Sequence, residues 1–294
     1  MVNKQLKPHK STSFPSISVI IPTLNEEHFL PRLLTDLVKQ KVKPGEVIIV
    51  DAHSTDTTKK VALSFQKMLP ISFISVSKKN VSHQRNIGAE HAKGEYLFFC
   101  DADSGLRITF LRNIRESILQ KKGLIFLPYL IPSEKTSDTL VYFRILNKFV
   151  EFSQHTKRPF SAGGNMIIER NFFNIIGGFQ ESLFVAEDHD IIQRAAQWGV
   201  RAKVSSSLKL IISLRRMKEE GKVKILYKAV VVSLHFLFKG PVKKQIIEYE
   251  MGGARYQKGK DLKKMDKPVF TSLFWKKNLR EFQQAFKALV STDE

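Results

Sequence analysis

The chain has 294 residues, 43% hydrophobic and 26% charged, proportions that exclude collagen-like, low-complexity and wholly disordered proteins. Lysine and arginine number 48 against 28 aspartate and glutamate, a net charge of +20, of which +13 falls in residues 201–294. Such a field attracts polyanions: nucleic acid, nucleotide phosphates or an anionic membrane.

The N-terminal run of residues 1–14 is basic and polar, lacks the apolar core of a signal peptide, and reads as a flexible tail. Ile17–Ile21 then reads as a buried strand. An amphipathic helix follows, with Phe29, Leu30, Leu33, Leu34, Leu37 and Val38 on one face. Asn25 is the expected N-cap of that helix, with Glu26 and Glu27 in its first turn. Val47–Val50 is a second strand and 55–68 a helix. Ile71–Val76 is a third strand, Gln84–Ala92 a short helix closed by Gly94, and Tyr96–Cys100 a fourth strand. Buried strands alternating with helices predict an α/β fold with a mostly parallel sheet covered on both faces. Further on, the spacing predicts helices over 109–120, 140–152 and 188–198. It also predicts strands over 124–127, 166–168, 202–204 and 208–212. From Glu219 the composition shifts to lysine-rich helical segments, so the expected division is 1–14, 15–218 and 219–294.

Ligands of open parallel sheets bind beyond the carboxyl ends of the strands. Three strands here finish in polar residues: Pro22-Thr23, Asp51, and Asp101-Ala-Asp103. Side chains two apart on an extended segment point the same way. Asp101 and Asp103 so placed can hold Mg²⁺ or Mn²⁺, which can bridge to a diphosphate. The alternative for this pair is an acidic turn. Glu187-Asp188-His189-Asp190 lies at a predicted helix start, where carboxylates either cap the helix or supply a general base. Gly163-Gly164 and Gly177-Gly178 read as turns or as places of close approach to a ligand. Phosphate-loop, dinucleotide-binding and hydrolase-elbow patterns are absent, as is any zinc-type histidine spacing. Cys100, the single cysteine, excludes an intrachain disulfide and points to a reducing, cytoplasmic setting.

Several segments, taken in order, resemble glycosyltransferase family 2. They are residues 18–27 (SVIIPTLNEE), 50–56 (VDAHSTD), 85–88 (RNIG) with 92–94 (AKG), 99–103 (FCDAD), 177–179 (GGF) and 187–190 (EDHD). The resemblance implies a GT-A fold and an inverting, metal-assisted transfer of a sugar from a nucleotide-sugar donor. Pro22, Thr23 and Glu26 would border the nucleoside pocket, Asp51 would bond the base, and Arg85 would lie near the nucleotide. Asp101 would contact the ribose or metal, Asp103 would ligate the Mn²⁺ or Mg²⁺, Asp188 would be the catalytic base, and Glu187 would face the acceptor. The family often has Asp-Gly where this chain has Ala52-His53. The Q-x-x-R-W of its processive members is absent, which favours transfer of a single sugar to a glycan or lipid-linked acceptor.

Ser213-Leu-Arg-Arg216 reads either as a basic loop over the diphosphate or as a solvated turn. Tyr227, Val230, Val231, Leu234 and Phe238 recur at helical spacing among Lys222, Lys224, Lys239, Lys243 and Lys244. That pattern suits a helix in an anionic membrane interface, making the protein peripheral at the inner face of a membrane, and equally suits a helix packed on the catalytic unit. The reading from a different class is a nucleic-acid-binding protein. The acidic motifs weigh against it, because without a metal they repel phosphate.

Overall fold

The structure is a computed structural model that describes residues 14–221 together with Lys224, Ile225, Lys228, Val232, His235, Val242 and Lys243. The apolar stretches of the first hundred residues form β1 (Ile17–Thr23), β2 (Glu46–Asp51), β3 (Ile71–Ser75) and β4 (Tyr96–Phe99). They are joined through α1 (Leu30–Val38), α2 (Thr58–Ser64) and α3 (Val81–His91). β5 (Gly105–Leu106), α4 (Phe110–Lys121), β6 (Ile125–Pro132), α5 (Ser137–Ser153), β7 (Met166–Glu169), α6 (Arg170–Ile175), α7 (Glu187–Gln197), β8 (Lys203–Ile212) and α8 (Arg215–Glu220) follow. The eight strands make one sheet in the order β3-β2-β1-β4-β7-β6-β8-β5. β1, β2, β3 and β4 pair in parallel, as do β6 and β8, whereas β7 is antiparallel to both its neighbours and β5 to β8. The sheet is α/β and mixed, with its parallel part where the sequence placed it.

Alternation along the strands sends side chains to two cores. Val19, Ile21, Val47, Ile49 and Phe98 pack with Leu30, Leu33, Leu34 and Leu37 of α1 and with Phe110 and Ile114 of α4. Ile20, Ile48, Val50, Leu97 and Phe99 pack on the other face with Ala89 of α3, Phe172 and Phe173 of α6, and Ile191 and Ile192 of α7. Strand order reverses between β1 and β4, which opens a crevice at their carboxyl ends.

Several local expectations are corrected. Asn25 does not cap α1, which starts at Leu30 with no side-chain cap and no acidic residue in its first turn. Asn25 instead takes a left-handed conformation (φ 55°), and its Oδ1 accepts from Thr55 N–H at 2.8 Å, tying the loop after β1 to the loop after β2. α3 begins three residues before the expected start, because Asn80 caps it by accepting from His83 N–H. The two short strands expected over 202–212 are one, β8. The polar Ser205-Ser-Ser207 run that splits its apolar pattern lies beside an irregularity in the β6 register at Pro128/Tyr129. β5 and α6 had no sequence signal that distinguished them. Residues 1–13, and the apolar residues of the predicted interfacial helix, Tyr227, Val230, Val231, Leu234 and Phe238, lie outside the described residues. Val242 is described; it is buried against Val185 and Ala186, and its carbonyl accepts from Phe184 N–H at 2.8 Å.

Gly94 sets the join of α3 to β4: its N–H donates to Ser18 Oγ at 2.8 Å, and a Cβ there would fall 2.7 Å from the Ser18 backbone nitrogen. Gly94→Ala is expected to destabilise the protein by about 1–3 kcal/mol, the range for overpacking. An unchanged denaturant midpoint would refute that tight contact.

Candidate active site

The crevice is built from the loops after β1, β2 and β4 and from the start of α7. Behind it lies a buried network: Asp51 Oδ1 accepts from Thr23 Oγ1 (2.9 Å) and Ser54 Oγ (2.5 Å), and its Oδ2 accepts from Ser54 N–H (2.8 Å). Gln84 Nε2, on α3, donates to the carbonyls of Thr23 and Val50. Asp51, 4% exposed, thus holds the β1 and β2 loops together with Pro22 and Thr23, also buried, beside it. His53 takes the left-handed conformation (φ 54°), one that glycine adopts freely, so the chain keeps at position 53 a backbone that suits glycine.

Asp101 and Asp103 do not continue β4 as an extended segment. Ser104 N–H donates to the Asp101 carbonyl (3.0 Å), so the pair lies in a turn and its side chains meet different partners. Asp101 Oδ1 accepts from Arg85 Nη2 (2.8 Å), and Oδ2 accepts from Asn165 Nδ2 (3.0 Å). Asn165 Oδ1 in turn accepts from Asp101 N–H (2.9 Å). Arg85 Nη1 donates to Glu187 Oε1 (2.8 Å), across 102 positions of sequence. The Arg85 side chain is only 3% exposed and stacks 5.2 Å from the Phe179 ring. Burial works against its charge, but Asp101 and Glu187 override that and raise its pKa. Asn86, next on α3, exchanges hydrogen bonds with the Phe179 backbone. The separate sequence segments are therefore one bonded unit.

A second arginine closes the other side. Arg215 Nη1 and Nη2 donate to both Glu26 oxygens (2.7 and 2.9 Å), and its Nε lies 2.9 Å from Asp103 Oδ2. The guanidinium also sits 4.7 Å from the Phe29 ring. Burial raises the pKa of both Glu26 and Asp103 and Arg215 opposes the rise; Asp103 and Asp101 add to the rise of Glu26, and Asp101 to that of Asp103. The site therefore holds an excess of partly buried negative charge. Among the described residues no three ionisable ligands gather as a closed metal cage. Two hard carboxylates with Asp101 36% exposed by side chain are the donor set Mg²⁺ or Mn²⁺ takes when substrate phosphates complete its shell.

Asp188, in the first turn of α7, accepts from Gly163 N–H at Oδ2 (2.7 Å), and its Oδ1 lies 3.3 Å from His189 Nδ1. Burial would raise its pKa, but His189, the Gly163 N–H and Arg85 outweigh it, so the carboxyl titrates below its ordinary range. His189 is shifted the opposite way: burial lowers it, and Asp188 and Glu187 raise it above 6.5. The sequence marks Gly163 only as part of a turn or of a close approach to a ligand, and Asn165 and Gln84 are not among the site residues it points to. The glycine pair at 163–164 was the available signal, since a polar residue beside a tight turn is well placed to meet a loop across the cleft. A cavity of about 710 Å³ opens at the opposite, amino ends of β1, β2 and β3 near Glu46 and Lys93. Glu46 is occupied there by Ser18 Oγ and the Lys93 N–H, and no convergent acid–base set forms.

The sequence model of glycosyl transferase family 2 matches residues 18–177, more than half of the chain. The chain belongs to that family. A glycosyltransferase, GlyA, of Streptococcus pneumoniae is 23% identical over 70% of this chain and 27% of its own length. A Campylobacter jejuni protein named GalNAc(5)-diNAcBac-PP-undecaprenol beta-1,3-glucosyltransferase is 28% identical over 41% of this chain and 40% of its own. The chain thus spans well under two thirds of these relatives. The solved mannosyltransferase PcManGT of Pyrobaculum calidifontis, in complex with GDP-Man and Mn²⁺, superposes with a TM-score of 0.57. It is 22% identical, with 75% of this chain and 65% of that one covered, which establishes the shared GT-A fold.

Gly164 leaves the space that the Arg85 guanidinium fills, and a Cβ there would overlap it. Gly164→Ala is expected to dislodge Arg85 and leave Asp101 and Glu187 without their shared cation. A buried pair broken in this way costs about 3–5 kcal/mol. Unfolding at wild-type midpoint would refute the bridge. The Asp188–His189 pair predicts a pH dependence with two limbs. Asp188, depressed, contributes stability above its ordinary 3.8 that is lost as pH falls through its folded value. His189, raised, contributes stability below 6.5 that is lost as pH rises through its folded value. In His189→Gln the alkaline limb should vanish from a plot of urea midpoint against pH.

Proposed function

We propose that this chain transfers one sugar, with inversion, from a nucleoside-diphosphate sugar to an acceptor hydroxyl, and that residues 15–218 are its catalytic unit with a basic extension over 219–294. The carrying observation is the bridge Asp101–Arg85–Glu187, which puts the carboxylates after β4 in one bonded network with the acidic start of α7. Family membership and the GDP-Man named in the mannosyltransferase complex support the donor class; the undecaprenol-linked acceptor in the Campylobacter name supports a glycan or lipid-linked one.

Pro22, Thr23 and Glu26 border the nucleoside, and Asp51 supports that pocket through Thr23 and Ser54, reaching the base directly only if one of them gives way. Asp101 and Asp103 would hold a divalent cation, which when bound offsets charge on the departing diphosphate. Arg215 shares that task. In the absence of donor it neutralises Glu26 and Asp103, and phosphate oxygens compete with those carboxylates for its guanidinium. Asp188 stays ionised at neutral pH and takes the acceptor proton. The acceptor oxygen bonds to the anomeric carbon as the bond to the diphosphate oxygen breaks, its electron pair leaving with the nucleoside diphosphate. The Asp188 Oδ1 contact with His189, looser than Oδ2 with Gly163, is the one an acceptor hydroxyl would share. Glu187, fixed by Arg85, faces the acceptor.

Asp188→Asn keeps size and loses basicity, so turnover should fall by roughly 10²–10⁴-fold while nucleotide-sugar binding persists. Near-normal turnover would refute the base. Asp103→Ala should abolish Mn²⁺-dependent strengthening of nucleotide binding, measured by calorimetry with and without Mn²⁺.

A further inference from the structure

On α5, Thr139, Phe143, Asn147 and Val150 face the protein, and Phe143 and Val150 enter the two cores. The opposite face is apolar as well. Val141, Ile145, Phe149 and Phe152 are 54%, 64%, 58% and 66% exposed. At 3.6 residues per turn these four positions fall within about 80° of arc, a continuous stripe along a helix about 25 Å long. Exposed apolar patches of this kind mark interaction sites.

Its border is cationic. Arg144 and Lys148 flank the stripe, and Lys157 and Arg158 lie just past its end, all four exposed. Of the nearby acids, Glu151 accepts from Lys148 and Tyr129, and Glu134 pairs with Lys218. Asp138 sits in the first turn, at the far end from Phe149 and Phe152.

We infer that α5 is a docking surface for an anionic lipid interface, with Phe149 and Phe152 inserted at the headgroup boundary. Charge selects this occupant. A second copy of a +20 chain would be repelled, since both surfaces carry the same sign of charge. Nucleic acid would satisfy the cations and bury none of the stripe. An anionic bilayer satisfies both parts. No helix among the described residues is long and apolar enough to cross a membrane, so attachment of these residues is to its surface. The stripe also points inward: the Phe149 ring lies 4.9 Å from that of Phe160, which lies 5.7 Å from His189, the neighbour of Asp188. Docking through α5 would bring the acceptor side of the site to the lipid surface; that consequence rests on the transfer reading above, the docking does not.

The test is co-sedimentation of the full chain with phosphatidylcholine vesicles and with mixed phosphatidylcholine–phosphatidylglycerol vesicles, at low and high salt. Binding is expected to the mixed vesicles alone, with a component that survives salt. Phe149→Ser/Phe152→Ser removes two exposed rings and, with them, only the Phe149–Phe160 contact, so its thermal melt should fall by no more than a few degrees and nucleotide-sugar binding should persist while vesicle partition falls at least about tenfold and the salt-resistant component disappears. Arg144→Gln/Lys157→Gln should weaken low-salt binding by about fivefold per residue and leave the salt-resistant part. Partition of the double serine variant equal to that of the unsubstituted protein would overturn the inference and assign any binding to residues elsewhere. A sedimentation coefficient that drops in the serine variant, with no vesicle binding by either protein, would overturn it in favour of self-association. Absence of nucleotide-sugar turnover by the unsubstituted protein, with vesicle binding as expected, would count against the transfer reading alone.

Discussion

Arg85 carries a charge that burial opposes, and the carboxylates of Asp101 and Glu187 are what make it tolerable there. Neither carboxylate could be removed cheaply, and neither could the cation, because each loss leaves a desolvated charge without a partner. The constraint spreads from this point. Glycine is required at 164 because the guanidinium fills the space a Cβ would take. Phe179 is held under the guanidinium by Asn86, one residue along the same helix. Asn165 fixes the other oxygen of Asp101 and orders the turn that carries Asp103. The crevice is organised around one side chain of α3, a helix whose own apolar periodicity is weak.

Arg215 makes similar ion pairs with a different degree of commitment. It belongs to α8, a six-residue helix with no buried residue, and reaches Glu26 across 189 positions of sequence. Arg85 is anchored in the middle of a packed helix, whereas Arg215 enters from the rim. The acidic site is thus divided between a cation built into the scaffold and one brought by a peripheral segment. A polyanionic ligand can compete for the second far more readily than for the first, since little packing has to be undone to move it.

The same separation of scaffold and rim applies to charge at large. The two cores on the faces of the sheet are apolar and contain no ion pair, while the cationic surplus lies on surface helices and beyond residue 200. α5 belongs to both worlds, with one face in the cores and an apolar stripe on the other that the described protein leaves bare.

The sequence by itself determined the parallel half of the sheet, because β1, β2, β3 and β4 are short apolar runs closed by polar residues and joined by helices. Periodicity is local, and local signals survive without knowledge of partners. It also placed Asp51, Asp101, Asp103, Glu187 and Asp188 at element ends, where the crevice of such a sheet must lie. Only the tertiary structure decided what those carboxylates meet. Asn25 reads as a helix cap, yet its Oδ1 accepts from Thr55 N–H and α1 starts without a side-chain cap. Asp101 and Asp103 read as one extended pair, yet a turn separates them and two arginines from distant segments claim one each. Asn165 carries no periodic or compositional mark at all. Long-range ion pairs and hydrogen bonds depend on which loops the sheet order brings together, and no spacing along the chain records that order.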